Sequence, residues 1–188
     1  MRQVQHALVA FGSNKHLSGK DPLATVREAA AALTSAGMVI RRMSRWFGSP
    51  AFPPGTGPDY VNAAALVEVR EGAAEVLARL HGIEAQFGRE RALRWGQRVL
   101  DLDLLAVEDQ VLPDAVTQGA WRDLPLQAQK LRAPDQLILP HPRLQDRAFV
   151  LVPLADVAPE WRHPVLGLTV LQMLDRLNPA DIAAVTPL

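Results

Sequence analysis

The sequence predicts an α+β fold with a ferredoxin-like split βαβ core: an antiparallel sheet backed by helices, with a C-terminal extension. Three observations predict it. Between residues 4 and 107, short apolar runs and helical-period segments follow in the order strand, helix, strand, strand, helix, strand. Cap and turn residues stand at the boundaries of these segments. Finally, 188 residues with 48% hydrophobic and 21% charged content suit one domain, 1–188, with a sizeable core.

Taken in order, Val4 to Phe11 is an apolar run that Gly12-Ser13-Asn14 stops, as expected of a buried strand and a turn. Asp21-Pro22 opens a helix, because Asp caps well and Pro is tolerated at the first helical position. Leu23, Val26, Ala30 and Leu33 keep its helical spacing, and Gly37 ends it. A second strand spans about Met38 to Phe47. The loop Gly48 to Asp59 follows, where four prolines and three glycines argue against regular structure. A third strand, about Tyr60 to Val69, puts Tyr60 and Asn62 on one face. The second helix starts near Gly72, buries Val76, Leu80, Ile83 and Phe87, and ends at Gly88; His81 and Glu84 share a neighbouring face. Both helices are expected on one face of the sheet, leaving the other for a site or further elements. Residues 108–136 form an insertion-like segment rich in Pro, Ala and polar residues, open between a short helix and a lid. A last helix is expected from about Thr169 to Leu177, stopped by Asn178-Pro179.

Composition narrows the function classes. The chain has no cysteine, so disulfides, zinc-thiolate sites and thiol catalysis are excluded. The formal net charge is zero, which argues against general attraction to nucleic acid or membrane. Seventeen of the twenty Lys+Arg residues are arginine, a ratio that a GC-rich genome also produces without any function. The start MRQVQHALVAFGSN has too short an apolar run for a signal peptide or a membrane span, so a cytoplasmic location is expected.

The densest chemistry lies in RERALRWGQRVLDLDLL, residues 89–105. Arg89, Arg91, Arg94 and Arg98 lead into Asp101 and Asp103. On a strand those two carboxylates share a face, roughly 6.5–7 Å apart, while Leu100, Leu102 and Leu104 face the core. Such a pair can hold a hard divalent cation, and guanidinium groups grip phosphate oxygens bidentately. Arginine runs are usually solvated faces, and an isolated Asp-x-Asp is usually a strand edge. Their adjacency, interrupted by Trp95 and Gly96, points instead to metal plus polyphosphate.

Four ordered motifs, AFGSN at 10–14, PDYVNAA at 58–64, RWGQRVLDLDLL at 94–105 and PHPRLQDRAFVLVPL at 140–154, resemble the 6-hydroxymethyl-7,8-dihydropterin pyrophosphokinase family of folate biosynthesis. The resemblance covers about residues 4–160 and implies a ferredoxin-like enzyme that passes the pyrophosphoryl group of ATP to the pterin hydroxymethyl oxygen, releasing AMP. It implies Asp101 and Asp103 as ligands of two magnesium ions, with ATP as co-substrate. Arg89, Arg91 and Arg98 would stabilise charge on the transferred group and the leaving phosphate. Glu84, Leu104, His141 and Arg147, with Arg91, Arg94 and Arg98, would contact the nucleotide. The pterin would lie between Phe149 and Tyr60, with Trp95 closing the site, Asn62 reading its amide edge, and Ser49, Pro50 and Phe52 along the wall.

The chain departs from the family pattern at several positions. Gln97 replaces a usual proline, His81 a common glutamine and Ser49 a usual threonine. The arginine and threonine expected before the Pro-His pair are replaced by Gln136 and Ile138, leaving Arg122, Lys130 and Arg132 as candidates for the lost ATP contact. The arginine loop is about one residue short, so Arg89 and Arg91 could exchange roles. The expected partners are small molecules, with no nucleic acid, no membrane and a monomeric state. Two alternatives stay open at this point: a ferredoxin-like module that holds RNA or another phosphate ligand without turnover, and a family member that binds nucleotide but has lost catalysis.

Overall fold

The central strand sets the architecture. In the computed structural model, which describes residues 3–16, 19–51, 57–88 and 99–188, β1 (Gln5–Ser13) pairs antiparallel with β4 (Tyr60–Val69) on one side and β5 (Asp101–Val107) on the other. It is apolar on both faces because both are covered: Ala7, Val9 and Phe11 enter one core, Leu8 and Ala10 another. The strand runs past its expected end, through Gly12 and Ser13, because the β5 ladder extends to Gly12 and the β4 ladder to Ser13. Ser13 is buried and its Oγ donates to the Val99 carbonyl at 2.5 Å.

Helices α1 (Pro22–Ser35) and α2 (Ala73–Gln86) cover the first face, burying Val26, Ala29, Leu33, Val76, Leu80 and Ile83. Asp21 caps α1 by accepting the Ala24 amide at 2.7 Å. Gly37 and Gly88, with φ of 83° and 73°, terminate the two helices in the left-handed region that favours glycine.

The expected second strand is two strands. β2 (Val39–Met43) and β3 (Phe47–Ser49) pair with successive stretches of β4. The break has a polar cause: the Ser44 hydroxyl takes the Ala64 amide at 2.9 Å, and Asp156 takes the Arg45 amide at 3.1 Å. Gly48 and Ser49, expected in a loop, therefore belong to the sheet. The sheet order is β5-β1-β4-β3-β6, with β2 also on β4 and β6 (Thr186–Pro187) closing the edge.

The C-terminal extension fills the second face. α5 (Ala148–Val157) and α6 (Val170–Leu174) bury Val150, Leu151, Leu154, Val170 and Met173 against Leu8, Ala10 and Ala64. The expected last helix is shorter than its pattern. Asn178 both follows α6 and caps α7 (Pro179–Ala183), accepting the Ala180 amide at 2.9 Å. The 108–136 segment contains two helices, α3 (Ala115–Arg122) and α4 (Leu126–Leu131), although no side-chain description extends to Leu126, Gln129 and Lys130. Among the described residues, no helix is long and apolar enough to cross a membrane.

Candidate active site

Strand register lines up one row of residues across four strands. Phe47 on β3 faces Asn62 on β4, Asn62 faces Gly12 on β1, and Gly12 faces Asp101 on β5. The next row on the same face is Ala64, Ala10 and Asp103. It is the face beneath α5, since Ala10 and Ala64 pack in that core. The alternation of β5 turns Leu100, Leu102 and Leu104 into the opposite core. Asp101 and Asp103 thus stand half-exposed at one end of a floor of glycine and alanine, with Asn62 and Tyr60 towards the other.

The Asn62 end is preorganised. Asn62 and Ser49 are both buried, and Asn62 Nδ2 donates to Ser49 Oγ at 2.9 Å. Tyr60 is half-buried opposite Ser49, and Pro50 is exposed just beyond β3. Asn14 is also buried and ties the end of β1 to the segment that leads into β4 by donating to the Pro58 carbonyl at 3.1 Å.

The carboxylate end is bordered by the segment around the Pro-His pair. His141 donates its amide to the Leu105 carbonyl at 2.8 Å and accepts the Arg143 amide on Nδ1 at 3.1 Å. Burial pushes its pKa down to about 3, helped by the Arg147 guanidinium and opposed by Asp101. The ring is therefore neutral at pH 7, with its proton on Nε2 as a donor. Arg147 Nη1 lies 4.0 Å from Asp103 Oδ2, and its guanidinium sits 5.6 Å from the Phe149 ring centroid. Arg147 therefore joins the acidic end to the half-buried Phe149, which packs against the second core.

Two nucleotide candidates read differently in three dimensions. Glu84 is buried, and its Oε1 accepts the Leu102 amide at 2.8 Å, holding β5 against α2 between the two aspartates. The Leu104 side chain is buried on the α1/α2 side, because the period-2 alternation that exposes Asp103 turns its neighbour inward. Arg122 pairs with Asp123 through Nε and Nη2 at 2.9 and 3.0 Å, and Arg132 lies over the Trp121 ring at 5.4 Å. Both guanidinium groups are thus engaged by residues of the inserted segment itself. Arg89, Arg91, Arg94, Trp95, Arg98 and Phe52 lie outside the described residues, as does Gln97.

A residue the sequence reading did not single out ties the inserted segment to this site. Buried Arg143 donates to the Trp121 and Arg122 carbonyls at 2.7 and 2.8 Å, where α3 ends with unpaired carbonyls and negative dipole charge. Gln118 Nε2 donates to the Pro140 carbonyl at 3.2 Å, and Leu112 and Leu139 form an isolated bridge. Through these contacts the inserted segment braces the irregular stretch that carries His141.

Among the described residues, no group of three or more His, Asp or Glu side chains could enclose a metal ion. Magnesium keeps several waters and is held by one or two carboxylates together with substrate phosphates. Asp101 and Asp103 supply such a pair. Two clefts of about 340 Å³ lie elsewhere, one around His6, Leu66 and Trp161, the other around Arg122, Asp146 and Arg176. Neither contains a residue of the carboxylate row, where Asp101, Asp103, Arg147 and the neutral His141 come together.

Residues 8–159 match the profile of the family described as 7,8-dihydro-6-hydroxymethylpterin-pyrophosphokinase (HPPK). The chain is similar to the 2-amino-4-hydroxy-6-hydroxymethyldihydropteridine pyrophosphokinase of Synechocystis, at 37% identity over 152 residues, covering 81% of this chain and 67% of that one. It is also similar to the Pseudomonas aeruginosa protein of that name, at 34% identity over 161 residues, covering 86% and 85%. Among solved structures, the Plasmodium falciparum HPPK-DHPS matches with a TM-score of 0.65 at 13% identity, covering 93% of this chain. The chain spans 45% of that crystallised chain, and at this identity the likeness speaks for the fold. The RNA-binding module finds no support among these relatives.

Proposed function

Since this chain belongs to the 7,8-dihydro-6-hydroxymethylpterin-pyrophosphokinase family, we propose that it transfers the β,γ-pyrophosphoryl group of ATP to the hydroxymethyl oxygen of 6-hydroxymethyl-7,8-dihydropterin, releasing AMP. The observation that carries this reading is the register row Asn62, Gly12, Asp101, which sets a polar side-chain amide and a carboxylate on one small-residue floor. In this reading the chain works as a cytoplasmic monomer of one domain on two small molecules, without nucleic acid.

Each residue has a task that its surroundings support. Asp101 and Asp103 would hold two magnesium ions, whose chemistry is to neutralise the ATP phosphates and orient them. His141, neutral and fixed by the Arg143 amide, donates from Nε2 to a phosphate oxygen. Arg147 leaves Asp103 for the nucleotide as phosphate arrives, while remaining stacked near Phe149. Glu84 acts by holding β5, and Leu104 by its backbone alone. Asn62, polarised through Ser49, reads the pterin amide edge between Tyr60 and Phe149, with Pro50 and Phe52 on the wall. Arg89, Arg91, Arg94 and Arg98 clamp the transferred and leaving phosphates, and Trp95 closes the pterin side.

The test is AMP formation with ATP, magnesium and the pterin, repeated without each. Asp101→Ala and Asp103→Ala should each lower kcat by at least about 100-fold, the scale of a lost transition-state charge contact, with thermal unfolding little changed in Asp103→Ala, whose side chain is partly exposed. Full turnover by either variant would remove the aspartates from the site.

A further inference from the structure

Gly12 lies in the middle of the row, and nothing in its backbone requires glycine. It is absent from the positive-φ positions and pairs in both ladders. Glycine inside a strand weakens it, and commonly marks a close approach by something else. A Cβ built on Gly12 would lie 3.8 Å from Asp101 Cβ, 3.8 Å from Tyr60 Cδ1 and 3.9 Å from Asn62 Oδ1. These are ordinary van der Waals distances, so a methyl group fits the protein without displacing its neighbours. Any longer side chain grows from that point into the space the three residues border.

We infer that Gly12 is a positioning residue: its missing side chain keeps open the junction at which the pterin hydroxymethyl group meets the metal-bound phosphates. The inference rests on the reading above of Asp101 as the metal side and of Asn62 and Tyr60 as the pterin side. At the junction a bond forms between the hydroxymethyl oxygen and the β-phosphorus. The bond from that phosphorus to the α,β-bridging oxygen breaks, AMP leaves with the oxygen, and the hydroxyl proton passes to solvent. Reacting atoms must come within about 3–3.5 Å for this, and a misplacement of about 1 Å can cost on the order of 100-fold in rate. A group too small to unfold the strand is therefore large enough to hold the two substrates apart.

The experiment compares the full chain with Gly12→Ala and Gly12→Val. Thermal unfolding, binding of the pterin alone, binding of a magnesium complex of a non-hydrolysable ATP analogue, and single-turnover AMP formation are measured on each. The expected result is unfolding at or above the parent temperature and binding of each ligand alone within about threefold. Turnover should fall about tenfold in Gly12→Ala and about 100-fold in Gly12→Val. Turnover within twofold of the parent in Gly12→Ala overturns the inference. So does loss of either ligand alone in proportion to turnover, which would place Gly12 in one subsite and not at the junction. If Gly12→Val does not fold, Gly12→Ala alone decides. A parent chain that makes no AMP defeats the pyrophosphokinase reading instead, whereas a parent that does, beside an unimpaired Gly12→Ala, defeats only the role of Gly12.

Discussion

His163 and His141 use the same device: a ring nitrogen that accepts backbone amides and so must stay unprotonated. His163 Nδ1 accepts the Val165 and Leu166 amides at 3.2 Å each, and burial lowers its pKa to about 4, with the Arg122 charge adding to the shift. His141 is lowered to about 3. Both folded values lie below the ordinary 6.5, so the unfolded chain takes up these protons first. The stability they contribute is complete above pH 6.5 and is lost as pH falls towards 4 for His163 and 3 for His141. Denaturant midpoints should therefore drop between pH 7 and pH 4.5. His163→Asn should flatten that slope, since its Oδ1 can accept the same amides and cannot become charged. A parent midpoint constant across this range would refute the assignment. His141 was legible as a candidate because it sits in a recognisable motif; its tautomer was not, because the Arg143 amide reaches it only in the folded turn. His163 carried no such motif, and neither the burial nor the nearby arginine that shifts it can be read from residue order.

At the scale of elements, helix starts were the most legible feature and the edge strand the least. Asp21-Pro22 announces α1 by chemistry within one turn, and so does the capping box of α6, where Thr169 Oγ1 accepts the Gln172 amide at 3.2 Å and Gln172 Oε1 accepts the Thr169 amide at 2.9 Å. Thr169→Ala should cost about 1 kcal/mol in equilibrium unfolding. The division into β2 and β3 was hidden because it depends on Asp156, which lies 111 residues from Arg45 in the chain. The brace formed by α3 was equally hidden, since the pairing of Arg143 with the helix end spans an irregular segment. Arg143→Ala should destabilise by about 1.5–3 kcal/mol, the value of hydrogen bonds from a charged group, and raise KM for ATP while leaving KM for the pterin nearly unchanged. Equal change in both constants would show that the brace supports the whole site and not the His141 side.

At the scale of the molecule, one sheet separates two cores. Leu80 lies in the first and Leu151 in the second, both fully buried. Each to Ala should cost about 2–5 kcal/mol, and the double variant should be additive within about 0.5 kcal/mol because the two sites share no packing partner. Strong coupling would mean that the sheet transmits strain between its faces. By itself the sequence determined the order of the elements, the alternation that separates Asp101 and Asp103 from Leu100, Leu102 and Leu104, and the family motifs, because periodicity and motif spacing are local properties of a chain. Only the tertiary structure decided that the C-terminal extension covers the second face, that Glu84 holds β5, and that Asn62, Gly12 and Asp101 fall in one row. Those relations are set by register and packing between segments tens of residues apart, and a shift of one residue in any ladder would turn the same side chains to the opposite face.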